Sequence, residues 1–347
     1  MAELSVIIPT LNEAATLPRL CAALARQRGV SLELIVADGG SSDGTREVAR
    51  AAGARLVESA RGRGRQMNAA ARTAGAELLL FLHADSLPES PDLLRNAADA
   101  LRRALAQAGH DRVAGHFPLR FERAVPGHDL LFGFLEGKTA LSRPYTVNGD
   151  QGALLTARYF RELGGFDERL PFLEDQQLAA RVFATGRWLA LPGPLVTSAR
   201  RFEAEGHRER LTLMALIMGL HAGGFDEFFE AMPAIYAEQG RAARLDLGRW
   251  LAAIRGAFRR AGAARTARTF WRAGHFVRDN AWQLFYQRDV LRGRLPDHPA
   301  LDFYDRRVHA LLDHRIATAL GAALLLAWFY VWLPAATFAV GRGATKV

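Results

Sequence analysis

Acids stand where apolar runs stop. Asp38 closes L-E-L-I-V-A-D, and Asp85 follows the run L-L-L-F-L-H-A. After Asp38 come two glycines, which allow a ligand close to the backbone, so this carboxylate could hold a base edge or a ribose hydroxyl. Asp43, five residues on, fits an Asx turn or a helix cap equally well. Between these acids, Arg61, Arg63 and Arg65 alternate with Gly62 and Gly64, as a diphosphate clamp would require, although a solvated basic loop has the same composition. A carboxylate delivered at 85 suits a hard divalent cation bridging two phosphates, where the plainer reading is a turn residue. Asp150, in N-G-D-Q-G, and the adjacent Glu174 and Asp175, in F-L-E-D-Q-Q-L, add further acids. The last pair starts a helical pattern, where the helix dipole favours acids anyway. Its active reading is a general base that deprotonates an acceptor hydroxyl during an inverting displacement at an anomeric carbon, while cations neutralise the leaving diphosphate.

The elements that must carry these residues alternate. Residues 5–10 form a β-branched run ended by Pro9-Thr10, and residues 14–28 then show helical spacing of Leu17, Leu20 and Leu24. Strand patterns at 32–37, 55–57 and 77–82 follow, with helical stretches at 46–52 and through Asn68 and Ala71. Such alternation predicts an α/β fold with a mostly parallel sheet flanked by helices, whose ligands collect at the carboxyl ends of the strands. The segment Pro9-Thr10-Leu11-Asn12-Glu13 lies at such an end, where Thr10 and Asn12 either cap the first helix or wall a nucleoside site. Residues 114–155 read as short β pieces and Gly/Pro turns that wall the site. Helices follow near 159–163 and at 174–185, then a strand near 188–191. The compact domain is expected to span residues 1–205.

Beyond it, residues 211–220 are too short an apolar run to span a bilayer. Leu247, Trp250, Leu251, Ile254 and Phe258 mark a helix whose other side carries Arg244, Arg249, Arg255 and Arg259, a basic amphipathic pattern. The formal charge of +9 is concentrated: residues 241–315 hold sixteen Arg, seven Asp and no Lys or Glu, so the rest of the chain is near neutral. Residues 206–315 are therefore expected to form a basic helical, membrane-interfacial extension, and no nucleic-acid partner is expected. Residues 316–340 are free of charged side chains, enough to cross a hydrocarbon core of ~30 Å as a helix. The single cysteine, Cys21, excludes an intrachain disulfide and reads as a buried small hydrophobe.

Taken in order, V-I-I-P-T-L-N-E, V-A-D-G-G-S-S-D-G-T, G-R-G-R-Q-M-N-A-A, F-L-H-A-D, G-G-F-D-E and L-E-D-Q-Q-L resemble a family-2 glycosyltransferase of the nucleotide-diphospho-sugar transferase (GT-A-like) fold over residues 4–205. The resemblance implies that Pro9, Thr10, Glu13 and Asp38 contact the nucleoside, that Arg65 lies near the diphosphate, and that Asp85 ends the family's D-x-D motif and binds Mg²⁺ or Mn²⁺. It implies Asp175 as catalytic base, with Asp150, Glu174, Arg200 and Arg201 on the acceptor side. His83 replaces the first acid of D-x-D. T-S-A-R-R-F lacks the Gln of the Q-x-x-R-W motif, which argues against a polysaccharide synthase. More narrowly, G-R-G-R-Q-M-N, V-N-G-D-Q-G and T-S-A-R-R-F are similar to the bacterial arsenosugar-biosynthesis or radical-SAM-associated transferases, a subgroup that ends near the equivalent of Leu220.

The expected activity is transfer of a hexose from a nucleotide-diphosphate sugar, UDP by resemblance, to a hydroxyl of a small-molecule or lipid-like acceptor. A nucleotidyltransferase on the same fold is the second reading, but its lysine-bearing glycine-rich signature is missing, since Lys138 and Lys346 are the only lysines. A nonenzymatic anionic-lipid-binding module is the third, and it leaves the acids at successive strand ends unexplained. With Arg306, Arg307 and Arg315 before the terminal apolar segment, and Arg342 and Lys346 after it, the larger count lies upstream. This predicts a transmembrane helix at 316–340 in the inner membrane and a catalytic domain on the cytoplasmic side.

Overall fold

The computed structural model describes residues 2–225, 227–229, 232, 245–295 and 297–336. Arg241, Arg244, Arg342, Lys346 and the last four residues of the apolar segment lie outside them. The chain divides into two compact units, Met1–Ala199 and Arg200–Val347.

The first unit is built on a seven-stranded sheet. Its strands are β1 (Leu4–Thr10), β2 (Leu32–Asp38), β3 (Arg55–Glu58), β4 (Leu78–Phe81), β5 (Val113–His116), β7 (Ala153–Thr156) and β8 (Arg187–Ala190), in the order β3-β2-β1-β4-β7-β5-β8. A second, two-stranded parallel sheet pairs β6 (Leu119–Glu122) with β9 (Leu195–Ser198). The pairs β1–β2, β1–β4, β2–β3 and β5–β8 are parallel, and β7 runs antiparallel to both β4 and β5.

Why the sheet takes helices on both faces is visible in the burial of alternate residues. Leu4, Val6 and Ile8 of β1, and Leu78 and Leu80 of β4, join one apolar cluster with α1 (Leu17–Ala25) and α4 (Leu93–Ala108). Ile7, Leu79 and Phe81 point the other way, into a cluster with α3 (Arg63–Ala71), α6 (Ala157–Glu162) and α7 (Glu174–Thr185). A strand's period of two splits each run between the two faces, so a parallel sheet reads as continuous apolar sequence. Pro9 is tolerated in central β1 because β4 pairs only as far as Ile7, leaving no ladder bond on that side for the missing N–H to break.

The expected α/β architecture and helical extension are therefore what the chain adopts. In the first unit two helices have no counterpart in the sequence pattern: α4, and α5 (Asp129–Thr139), which interrupts the stretch expected to form short β pieces. Cys21 is buried in α1, as expected.

The second unit is helical. It contains α8 (Arg200–Glu205), α9 (His207–Ala222), α10 (Leu247–Ala261), α11 (Ala263–Asp279), α12 (Trp282–Leu291) and α13 (Pro299–Phe303). A π-helical turn at Tyr304–Val308, α14 (His309–Leu312) and α15 (Arg315–Ala327) follow, and a second π-helical turn at Trp328–Trp332 prolongs α15. The amphipathic reading of α10 is met: Trp250, Leu251, Ile254 and Phe258 are buried. Among the described residues one helix, Arg315–Ala336, is long and apolar enough to cross a bilayer.

Candidate active site

Two groups of side chains gather at the carboxyl ends of neighbouring strands in the first unit. The first forms where β1 and β2 stop together, with Thr10 paired to Asp38 in register. Asp38 is fully buried, and its carboxylate accepts from the backbone N–H of Gly40 at 3.1 Å, that of Ser41 at 3.0 Å and Arg46 Nε at 2.8 Å. Burial pushes this carboxyl up, but the bonds from Ser41, Arg46 and Gly40 outweigh it and hold the group below the usual range. Gln66, on α3, ties the two strand ends by donating to the carbonyls of Thr10 at 2.7 Å and Ala37 at 2.8 Å. A side chain at Gly39 would put its Cβ 2.9 Å from the Gln66 amide. Asn12 takes a left-handed φ of 57° and accepts from the Ser42 N–H at 2.9 Å, and Asp43 accepts from Ala14 and Thr45, so the D-G-G-S-S-D-G-T loop is locked to the loop after β1. The Glu13 carboxylate accepts from Thr16 Oγ1 one turn on.

The second group owes its position to β7. Because β7 is antiparallel to β4, with Ala153 opposite Phe81, the N-G-D-Q-G segment before it lies beside H-A-D after β4. His83 Nδ1 meets Asp150 Oδ1 at 2.9 Å, and the Ser86 hydroxyl donates to the Asp150 carbonyl at 3.0 Å. The Gly149 N–H donates to Asp175 Oδ2 at 2.5 Å, and the Gln176 N–H to Asp175 Oδ1 at 2.9 Å, as expected for a carboxylate in the first turn of a helix. A Cβ at Gly149 would stand 2.8 Å from His83 Cε1 and 3.2 Å from Asp175 Oδ2, so only glycine lets the three meet. Leu173, immediately before the acids, takes a left-handed φ of 67°, a strained conformation for a leucine.

Arg63, the first residue of α3, reaches Glu174 with Nε 2.9 Å from Oε1. That contact lacks a hydrogen bond's angle, and Glu174 Oε1 accepts none. Glu174 is fully buried; burial first, and then the adjacent Asp175, push its carboxyl up against the opposing pull of Arg63. Burial works against a charged His83, but the Asp150 hydrogen bond and the Asp85 charge overcome it, so its imidazole is raised. Met67, Phe81, Val147, Phe166 and Trp188 complete an apolar-walled pocket over Asp175 and His83.

Of the residues singled out in the sequence, Asp150, Glu174 and Asp175 thus come together, while Thr10 and Asp38 meet at the other strand end. Asp85 is half-buried in the turn after β4. Arg65 leaves this cluster and donates to the Glu168 carbonyl at 3.2 Å. Arg200 and Arg201 belong to the second unit. The sequence reading missed Arg63 as the counter-ion of Glu174, and Gln66 and Gly149 as positioning groups. Among the described residues no three His, Cys, Asp or Glu side chains converge as a ready-made metal cage.

Residues 5–163 match the model of glycosyl transferase family 2. A PGL/p-HBAD biosynthesis glycosyltransferase of Mycobacterium bovis (strain BCG / Pasteur 1173P2) is 42% identical over 102 residues, covering 27% of this chain and 40% of that protein. A similarly named protein of Mycobacterium tuberculosis (strain ATCC 25618 / H37Rv) matches to the same extent. The chain therefore spans 40% of the length of these relatives. Two solved structures also align. One is the mannosyltransferase PcManGT of Pyrobaculum calidifontis in complex with GDP-Man and Mn²⁺, at 20% identity and TM-score 0.49, over 94% of this chain and 87% of that one. The other is S. aureus TarS 1-349 in complex with UDP, at 16% identity and TM-score 0.43, over 88% and 91%.

Proposed function

We propose that this chain, whose residues 5–163 match the model of glycosyl transferase family 2, moves a hexose from a nucleotide-diphosphate sugar to an acceptor hydroxyl with inversion, UDP being the expected nucleotide. The observation that carries the reading is Asp175, oriented by the Gly149 N–H beside the pocket at the ends of β4 and β7. In this reading Pro9, Thr10, Glu13 and Asp38 face the nucleoside and Arg65 the diphosphate. Asp175 takes the acceptor's proton as the acceptor oxygen bonds to the anomeric carbon and the bond to the diphosphate oxygen breaks. Asp150 and Glu174 line the acceptor side, a role the sequence alone extends to Arg200 and Arg201.

Asp85 would hold Mg²⁺ or Mn²⁺. One half-buried carboxylate at a strand end fits a cation that takes its remaining ligands from phosphate oxygens and water better than it fits an all-protein cage. Bound there, the ion would neutralise charge on the leaving diphosphate. His83, fixed by Asp150, and Arg63 supply positive charge beside it. The acceptor is proposed to be a small-molecule or lipid-like hydroxyl, met at the cytoplasmic face of the inner membrane through the second unit. Narrower kinship with the arsenosugar-associated subgroup is retained as a proposal on the motifs alone.

Release of nucleoside diphosphate from a panel of UDP-, GDP- and dTDP-sugars, with and without Mg²⁺ or Mn²⁺, tests the reading. One donor should be consumed in a cation-dependent way. Cleavage that instead yields inorganic pyrophosphate from a nucleoside triphosphate would make the chain a nucleotidyltransferase.

A further inference from the structure

The terminal apolar helix does not stand alone. Its contact with α11 is a backbone-to-backbone crossing: a Cβ on Gly274 would come 2.5 Å from the Thr318 carbonyl oxygen, and one on Gly321 would come 2.8 Å from that of Gly274. Small residues that let two backbones touch fix a helix pair tightly. The pairing continues in both directions. Arg278 reaches Thr318 at 3.3 Å and Asp313 at 3.2 Å, while Phe270 meets Phe329 with ring centroids 6.0 Å apart. From α10, the Arg255 guanidinium sits 5.7 Å from the Phe329 ring centroid.

Phe329 lies fourteen residues past Arg315, about 21 Å along a helix. Were this helix to stand across a bilayer as it is packed, Arg255 would lie beyond the midplane. Arg272, between Phe270 and Gly274 on α11, would lie inside the hydrocarbon as well. Charged arginines are costly at that depth. The opposite face of the helix is apolar and open: Ile316, Leu320, Leu324 and Val331 are each more than half exposed, while Thr318, Gly321, Ala322 and Phe329 are buried. Tyr330 and Trp332, types that favour the headgroup level, are exposed too.

We propose that the helix Arg315–Ala336 lies in the plane of an anionic membrane surface, its open stripe in the acyl boundary and the arginine-rich helices of its own unit at headgroup level, rather than crossing the bilayer. The occupant follows from charge. Residues 241–315 carry a net +9 and the helix itself has no acid, so an anionic bilayer is attracted where a second copy of the chain is repelled. This seating rests on the second unit alone and is independent of the sugar-transfer reading.

Two experiments on the full chain test it. On a Cys21→Ala background, Asp313→Cys and Lys346→Cys variants are expressed in bacteria and treated with a membrane-impermeant maleimide in spheroplasts and in inverted membrane vesicles. In-plane seating predicts that both react only in inverted vesicles. Labelling of Lys346→Cys in spheroplasts alone would overturn it in favour of a spanning helix. In the second experiment, protein is sedimented with phosphatidylglycerol-containing or pure phosphatidylcholine vesicles. Binding should require the anionic lipid and fall about tenfold or more in the Leu320→Glu/Leu324→Glu variant, with nucleotide-sugar binding unchanged. Equal binding by that variant, or a soluble dimer that ignores both vesicle types, would overturn the proposal.

Discussion

Asp38 and Glu174 are both fully buried carboxylates at the same sheet edge, yet their acidities move in opposite directions. The difference lies in the company each keeps. Asp38 is surrounded by donors that favour its charge: two backbone N–H groups and the Arg46 guanidinium. Glu174 has one guanidinium, which gives Oε2 a long hydrogen bond of 3.5 Å and leaves Oε1 with none, and an acid as its neighbour. The end proposed to face the nucleoside thus has its carboxylate fully supplied with donors, whereas the end proposed for catalysis holds unspent capacity for hydrogen bonding and charge. A site that must tighten around a substrate and its leaving group is expected to have that asymmetry.

The largest test removes the weaker partner's support. Arg63→Ala should destabilise the first unit by about 2 kcal/mol, less than for a fully buried pair because the Arg63 side chain is 40% exposed, since it leaves the buried Glu174 without a counter-charge; denaturant unfolding measures it. Restored stability in the Arg63→Ala/Glu174→Gln double variant would show that the pair, rather than lost packing, is responsible.

Next, Gly149→Ala should push His83 and Asp175 apart. A fall of roughly tenfold to a hundredfold in kcat, with donor affinity little changed, is expected for a misplaced base. Asp38→Asn should cost about 1–2 kcal/mol through its broken donor set, and should weaken donor binding.

The smallest effects are in pH, and they have opposite signs. Asp38 has a lowered folded pKa, so its contribution is present above the unfolded value of 3.8 and is lost as pH falls through and below it. Glu174 has a raised folded pKa, so the folded state keeps a proton the unfolded chain has released, and stability declines as pH rises from 4.5 towards the folded value. Asp38→Asn should therefore flatten the acid limb of the stability profile, and Glu174→Gln the decline above pH 4.5. Unchanged limbs would show that the two acids do not differ as described.

Strands β1 and β4 were legible because central parallel strands are buried along their whole length and so nearly all apolar, while β2 and β3, with polar and partly exposed positions, were legible from short apolar runs bounded by Gly and Asp. Helix α7 was legible to its ends, from Glu174 to Thr185. Helix α5 was not, since Gly133 and Gly137 interrupt it and it has no single apolar stripe. The choice of Arg65 over Arg63 failed to find the Glu174 partner for a geometric reason. Helix α3 starts at Arg63, so the two arginines point about 160° apart, and nothing in G-R-G-R-Q shows which of them turns inward. Gly149 was legible as a turn residue but not as the point where His83 and Asp175 converge, because that depends on the antiparallel entry of β7 beside β4. The Gly274–Gly321 crossing was equally hidden, since the two glycines are far apart in the chain and neither marks a turn.

The most direct test of sugar transfer from this site is a donor-binding titration run beside a turnover assay for the unaltered protein, Asp85→Ala and Asp175→Asn, each with and without Mn²⁺. The account predicts that Asp85→Ala loses cation-dependent donor binding, and that Asp175→Asn binds donor normally while its turnover falls by roughly two to four orders of magnitude. Full turnover in a folded Asp175→Asn protein would contradict it.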